Sequence, residues 1–296
     1  MVTLKSSNIY TKYSVNSFFK NTTISNDDEF LLIDNDGCKL DAFYANSKIK
    51  IMKNKLPLSF AKNVNLAMKK AKESKKNLIF LNNDIIFTSD WFEPLDSDSQ
   101  NISIPVNNQI FPYQSDCKNL KLKITMDLKD FDENYTLLNE IVKKHKQIFK
   151  IPNKRNESST SKHSFKIQTL LMPFFCFKIP NKIIHEIGYF DETFLNGAED
   201  VDYRIRCAQK NFDVNFLLNS YLLHFHGKST WHGAETRDQT EKRNELYTKV
   251  FLKKWGKEMT QIFIIRKNFY NILLEKNLIE FFEKKIFGEL IRKLLL

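Results

Sequence analysis

Cysteine, glycine and long apolar runs are all scarce in this sequence, and the shortages limit what it can be. The four cysteines, Cys38, Cys117, Cys176 and Cys207, stand far apart with no C-x-x-C pair. That spacing builds neither a zinc site nor a dense disulfide framework, and it fits a reducing compartment. No apolar run approaches the roughly 18 residues of a membrane span, and the start, MVTLKSSNIYTKY, turns polar too soon for a secretory leader. These absences predict a protein made and kept in the cytoplasm. No recognised nucleic-acid-binding motif occurs. With only 7 glycines in 296 residues, it is Asn211 that stands where a left-handed helix cap is needed.

What is present suits a globular chain. The sequence is 42% hydrophobic and 13% aromatic, enough to bury the core of one large domain or two small ones. A formal charge of +11, from 46 Lys+Arg against 35 Asp+Glu, fits nucleic acid or an anionic membrane surface. The excess is spread in pairs such as Lys69-Lys70, Lys75-Lys76 and Lys143-Lys144, within a composition biased to Lys, Asn, Ile and Phe. Charge alone therefore decides little.

Along the first third, strand-like runs at Val2–Leu4, Phe30–Ile33, Ile49–Met52 and Leu78–Leu81 alternate with helical patterns at Tyr13–Phe19 and Phe60–Ala71. Strands separated by helices predict an α/β fold with a mostly parallel sheet flanked by helices. In such sheets ligands sit outside the carboxyl ends of the strands. DNDG (Asp34–Gly37) and NND (Asn82–Asp84) both fall there. From Asp96 to Phe165 the pattern weakens, with a strand at Ile102–Val106, a helix at Tyr135–Ile148 and a polar loop, PNKRNESSTSKH. It returns at Ile167–Ile179, then a helix opened by Asp200 and Asp202 and continued by Arg204, Arg206 and Lys210, which suits the macrodipole at both ends. A strand at Asn215–Leu223, the run HFHGKSTWH and a helix through Glu241–Trp255 follow. The tail repeats apolar residues at Ile279, Phe282, Ile286, Leu290 and Leu294 among Lys284, Lys285, Arg292 and Lys293. That basic amphipathic pattern suits an anionic membrane surface, a core helix or a subunit contact.

Four groups offer chemistry, each beside a plainer reading. Asp84, at a strand end, can hold a divalent cation that bridges a diphosphate, or the NND run is a turn capped by its own side chains. Asp34 and Asp36 can bind a base or ribose, or DNDG is a tight turn with Gly37 at positive φ. Glu199 and Asp200, at a helix N-terminus, are stabilised as anions and suit proton abstraction from a hydroxyl, or they are first-turn caps. His224, His226 and His232 cluster within nine residues, and the first two share one side of a strand as candidate metal ligands or hydrogen-bonded strand-end histidines.

Taken in order, these segments resemble the family 2 glycosyltransferases, inverting nucleotide-sugar enzymes with the GT-A fold, over residues 1–95 and 168–255. LLIDNDG matches the family's strand and acidic turn. SFAKNVNLAM matches its helix start, with Asn65 at the asparagine, and LIFLNNDIIFTSDWFEPL matches the leucine-asparagine-x-aspartate segment with its tryptophan. IGYFDETFLNGAEDVDYRIR matches the gly-x-phe-asp-glu-x-phe…glu-asp-x-asp…arg segment, HFHGKS the his-x-x-gly-x-ser, and NELYTKVFLKKW the closing helix. The sequence departs from the pattern at Asn82, where an acid is common, in a short first strand, and at Asn211, where glycine is common.

The resemblance implies a Rossmann-like GT-A domain with a C-terminal helical extension. Residues 1–95 would bind the nucleotide sugar, 96–165 form a variable insertion, 166–256 carry the acceptor and catalytic half, and 257–296 form the basic tail. It implies that Asp34, Asp36, Asn65, Asn82 and Asn83 serve the donor nucleotide, with a UDP-sugar favoured. Asp84 and His224, with His226 as the alternative, would hold Mg2+ or Mn2+. Asp200 would be the general base and Glu199 its orienting neighbour. The acceptor would be a glycan or lipid-linked saccharide of cell-envelope polysaccharide synthesis, with nucleic acid excluded. Two competing readings are a catalytically silent saccharide-binding relative, motivated by Asn82, and a basic nucleic-acid-binding protein.

Overall fold

In the computed structural model of the chain, residues 1–38, 40, 46–108, 127–128, 136–151, 165–228 and 236–296 are described. The run FLLID forms β2 (Phe30–Asp34), with β1 (Val2–Thr3) on one side and β3 (Ile49–Lys53) on the other, all parallel. Four of its five residues are buried, as expected of a strand covered on both faces. The covering helices are α1 (Asn8–Asn21) and α2 (Phe60–Glu73), the latter started by Ser59, whose hydroxyl accepts the Lys62 N–H.

A second, mixed sheet carries the rest of the strands: β4 (Leu78–Leu81), β5 (Ile85–Phe87), β6 (Ile102–Asn107), β7 (Lys166–Gln168), β8 (Cys176–Ile179) and β9 (Val214–His224). Its order is β4-β8-β6-β9-β5, with β7 added along β9. Only β6 and β9 pair in parallel here; β4 with β8, β6 with β8, β5 with β9 and β7 with β9 are antiparallel. Residues 78–87 thus run as one extended stretch that changes partner midway, from β8 to β9. Asn82, Asn83 and Asp84 occupy the break. β6 is buried at all six positions and tolerates Pro105 because the ladder with β9 shifts register between Pro105 and Val106. The segment with the weakest sequence pattern therefore supplies a central strand. The helix α3 (Phe92–Ser97) precedes β6 and α4 (Thr136–Ile148) follows it.

The second half adds α5 (Asn181–Ile187), α6 (Glu199–Gln209) and α7 (Arg237–Thr260). A capping box of Thr236 and Gln239 opens α7, which breaks at Gly256 (φ 81°, ψ 177°). Beyond it come a π-helix at Gln261–Ile265, then α8 (Phe269–Glu275), α9 (Ile279–Glu283) and α10 (Phe287–Leu294). α6 is buried all round, as a helix between two layers must be. Tyr203 and Cys207 join the main core, while Val201, Ile205 and Ala208 pack with Phe251, Phe263, Leu290 and Ile291.

The apolar face of the tail is thereby largely buried at its end, although Ile286 stays exposed and Ile279 and Phe282 are half-buried. Phe287, Leu290, Ile291 and Leu294 are buried in the cluster that holds α6, and Arg292 donates to the Ala208 carbonyl at 3.1 Å. Outward-facing Lys284 pairs with Glu280. The predicted amphipathic helix is thus two short helices, of which the second packs into the core, and among the described residues no helix is long and apolar enough to cross a membrane.

Candidate functional site

A cavity of about 410 Å³ opens where the β4–β5 break, the end of β9 and the start of α6 meet. Backbone pairing brings the first two together, since Ile85 lies opposite His224. Asp84 is 1% exposed, and its two oxygens face different partners. Oδ1 lies 3.2 Å from His224 Nε2, and Oδ2 accepts the Lys228 N–H at 3.1 Å. Burial opposes ionisation of this carboxyl, but the neighbouring His224 and the Lys228 N–H outweigh it and hold the group below the usual carboxylate range. The His224 ring stacks on Phe175, and its buried Nδ1 has no hydrogen-bond partner among the described residues. His226, in the left-handed region at φ 56°, lines the same cavity.

The two asparagines before Asp84 do different work. Asn82 is on the cavity wall, its amide donating to the Phe174 carbonyl at 3.2 Å. Asn83 is fully buried and points the other way, donating to Ser7 Oγ at 2.8 Å and Thr11 Oγ1 at 2.9 Å. It pins the strand break to the start of α1. Asn65 is likewise occupied: its amide donates to the Phe190 carbonyl and to Glu192, and its oxygen accepts the Phe190 N–H. Asn65, Asn83, Asp34 and Asp36 do not line the cavity, nor does Asp84, which meets its wall through His224.

At the end of β2, Asp34 Oδ1 accepts the N–H groups of Gly37 and Cys38, both at 2.8 Å, which closes the DNDG turn around Gly37 (φ 82°). Asp34 Oδ2 is buried and has no partner among the described residues. Asp36 accepts the Lys5 N–H at 2.8 Å. Between them Asn35 is a hub, accepting from Leu58 N, Asn54 and Asn63 at 2.9, 2.8 and 3.0 Å. Asp34, Asp36 and Cys38 present ligand atoms within 4.8 Å of one another. Burial pushes the Cys38 thiol up to about 12, so without a cation it stays protonated.

A chain of unusual backbone brings Glu199 and Asp200 to the cavity. Asn196 (φ 55°) and Ala198 (φ 68°) are both left-handed, and between them Gly197 lies under the Tyr247 ring. A Cβ at Gly197 would come within 2.2 Å of Tyr247 Cδ1, so any side chain there must displace the ring. Glu199 is 2% exposed, with Oε2 unpartnered among the described residues. Burial, then the charge of Asp200, pushes its carboxyl up to about 8. Asp200 is half-buried and accepts the Val201 N–H at 2.8 Å; burial raises it to about 7.

The remaining charges of the motif are scaffold. Asp202 accepts from Trp255 Nε1 at 2.9 Å, from Lys254 at 2.7 Å and from Arg206 at 2.9 Å. Lys254 also pairs with Asp191. Arg204 is fully buried and donates twice to the Thr169 carbonyl.

Sequence reasoning missed the outer wall, made by Tyr247, Phe263, Ile264 and Arg266 from α7 and the segment after it. No local signal marks them, because the tail's periodicity speaks only of its buried face. His232, Cys117 and the PNKRNESSTSKH loop lie outside the described residues. A second cavity, about 460 Å³, lies beside the amino-terminal ends of β2 and β4, lined by Met1, Glu29, Lys70, Phe80 and Lys178 among others. It contains none of the candidate site residues.

No protein-family model matches the sequence, and no curated protein matches it. Among solved structures the chain is similar to GalNAc-T7 with UDP, GalNAc and Mn2+ (TM-score 0.53, 17% identity, covering 87% of this chain and 46% of that one). It is also similar to TarS of S. aureus (TM-score 0.50, 12% identity, 90% and 42%) and to TarS 1–349 in complex with UDP-GlcNAc (0.51, 13%, 90% and 73%). The chain therefore spans less than half the length of GalNAc-T7 and of the longer TarS chain. The shared architecture is the GT-A-like α/β fold of glycosyltransferases.

Proposed function

We propose that the chain transfers a sugar from a nucleoside-diphosphate donor to a hydroxyl, with inversion at the anomeric carbon. One observation carries the reading: His224, whose Nε2 lies 3.2 Å from Asp84, and Glu199 with Asp200 come from separate segments and line a single cavity at the strand ends. Structures of similar fold that hold UDP, UDP-GlcNAc and Mn2+ support a nucleotide-sugar donor. The buried, unpartnered Oδ2 of Asp34 offers an acceptor to a base carrying a ring N–H, which favours uracil over adenine or cytosine.

Asp84 and His224 are the residues that would hold Mg2+ or Mn2+, with His226 the alternative, and the mixed oxygen and imidazole set favours Mn2+. A bound cation there would neutralise the leaving diphosphate. Near neutrality the Glu199–Asp200 pair retains one proton, because burial and the charge of Asp200 both oppose ionisation of Glu199. Glu199, at about 8, keeps it, and Asp200, at about 7, is the ionised partner. Asp200 takes the proton of the acceptor hydroxyl as its oxygen bonds to the anomeric carbon; the carbon–oxygen bond to the diphosphate breaks on the opposite face. Protonated Glu199 holds its neighbour in place and can donate to the acceptor. Residues 1–95 thus serve the donor and 166–256 the acceptor of one domain, and the acceptor is a glycan or lipid-linked saccharide.

Thermal melting with nucleoside diphosphates and nucleotide sugars, with Mn2+ and with chelator, tests this directly. UDP with Mn2+ should raise the melting point, by about 2.7 kcal/mol of binding at a hundred-fold excess over Kd, and Asp84→Ala should abolish the metal-dependent part. A melt moved by RNA and by no nucleotide would replace this reading with nucleic-acid binding.

A further inference from the structure

The wall of the cavity nearest Asp200 carries a cation that the mechanism above leaves without work. Arg266 stands at the end of the π-helix Gln261–Ile265, in the left-handed region at φ 57°. A non-glycine residue held there is strained, and both this conformation and π-helical turns gather at functional sites. The other arginines among the described residues are tied into the scaffold. Arg204, Arg206, Arg243 and Arg292 each donate to a backbone carbonyl, and Arg237 pairs with Glu241. Arg266 has neither kind of partner among the described residues. Arg266 is itself exposed, and it shares the cavity lining with Phe60, Phe174, Phe175, Phe263 and Ile264 as well as with Glu199, Asp200 and the two histidines. Its charge acts on Asp200, whose ionisation it favours.

Building on the transfer reading, we infer that Arg266 binds an oxyanion, phosphate or carboxylate, carried by the acceptor beside the hydroxyl that Asp200 deprotonates. A guanidinium presents paired N–H donors that match either group in two parallel hydrogen bonds. Its place beside Asp200, with Asp84 and His224 contributed by other elements, assigns it to the acceptor side. The aromatic floor suits the apolar face of a sugar ring. A net charge of +11 also draws an anionic acceptor toward the protein. The C-terminal segment thus acts as a specificity element.

The test uses the full chain saturated with UDP and Mn2+ and titrates glycerol 3-phosphate, glucuronate and glucose, reading melting shifts and calorimetric affinities. At least one anion should bind more tightly than glucose, and the stronger of the two names the acceptor's group. Arg266→Gln should weaken that anion about ten-fold, leave glucose unchanged and keep the UDP shift; Arg266→Lys should recover part of the loss. Equal anion binding by wild type and Arg266→Gln, with the UDP shift intact, overturns this assignment alone. A UDP shift lost in Arg266→Gln would move the residue to the donor side and overturn it as well. Absence of any UDP shift in the wild type would remove the transfer reading and this inference together.

Discussion

Replacing Asp200 with asparagine should abolish transfer and at the same time raise the melting point, and both effects follow from its burial. The carboxyl has an ordinary value of 3.8 and is raised to about 7 in the folded chain. Between those values the folded state holds a proton that the unfolded state has released, so stability falls as pH rises through the window, and the full cost is present above pH 7. Each pH unit between the two is worth about 1.4 kcal/mol, which sets a ceiling of about 4 kcal/mol. Asp200 is only half-buried and retains the Val201 N–H, so about 2 kcal/mol is expected after screening by cavity water. Asparagine keeps the acceptor oxygen for Val201 and cannot ionise. Its advantage should be absent near pH 4, grow through pH 5 to 7 and level off above, reaching about 3 °C for a chain of this size. Differential scanning calorimetry of both proteins at pH 5, 6, 7 and 8.5 reads this directly. In parallel, wild-type turnover should rise with pH through about 7 as the base ionises, and the variant should lose 10²–10⁴-fold in rate, roughly the worth of a positioned base. A variant no more stable at pH 8.5, or one whose gain is as large at pH 5, would refute the buried-carboxylate argument. Full transfer by the variant would remove Asp200 as base.

Other perturbations test the scaffold. Leu290→Ala opens the contact between α10 and α6, where Leu290 is fully buried; it should cost about 2–5 kcal/mol in denaturant unfolding, whereas a tail made for a membrane would lose almost nothing in solution. Gly197→Ala must displace the Tyr247 ring, so transfer should fall while the metal-dependent UDP shift, which depends on Asp84, persists. Burial holds His145 down to about 4 from 6.5, so the unfolded state binds the extra proton and stability should drop as pH falls from 6.5 to 4. His145→Phe, in acid melts, should flatten that drop.

Much of the site was legible because its residues sit at element ends, where local rules are strong. An apolar run stopped by DNDG places Asp34 at a strand's carboxyl end whatever the rest of the chain does. Acids followed by arginines mark α6, and Asn211 adopts the left-handed φ of 60° that its position after the helix demands. Side-chain direction was harder. Asn82 and Asn83 are adjacent, yet in an extended chain successive side chains point to opposite faces, so one meets the cavity and the other meets α1. Asn65 has the look of a ligand-binding asparagine but reaches Phe190 and Glu192, 125 and 127 residues away. Nothing in its own helix announces those partners.

The sequence by itself determined the alternation of strands and helices, the acidic strand ends and the polarity of α6, since these rest on periodicity and capping within a few residues. Tertiary structure alone decided that β6 would enter the middle of the sheet, that residues 78–87 would change partner at NND, and that the basic tail would bury its apolar face on α6. It also decided that Tyr247 and Arg266 would close the cavity over Asp200. Those outcomes depend on which distant surfaces fit one another, and complementarity between surfaces leaves no imprint on the period of either segment.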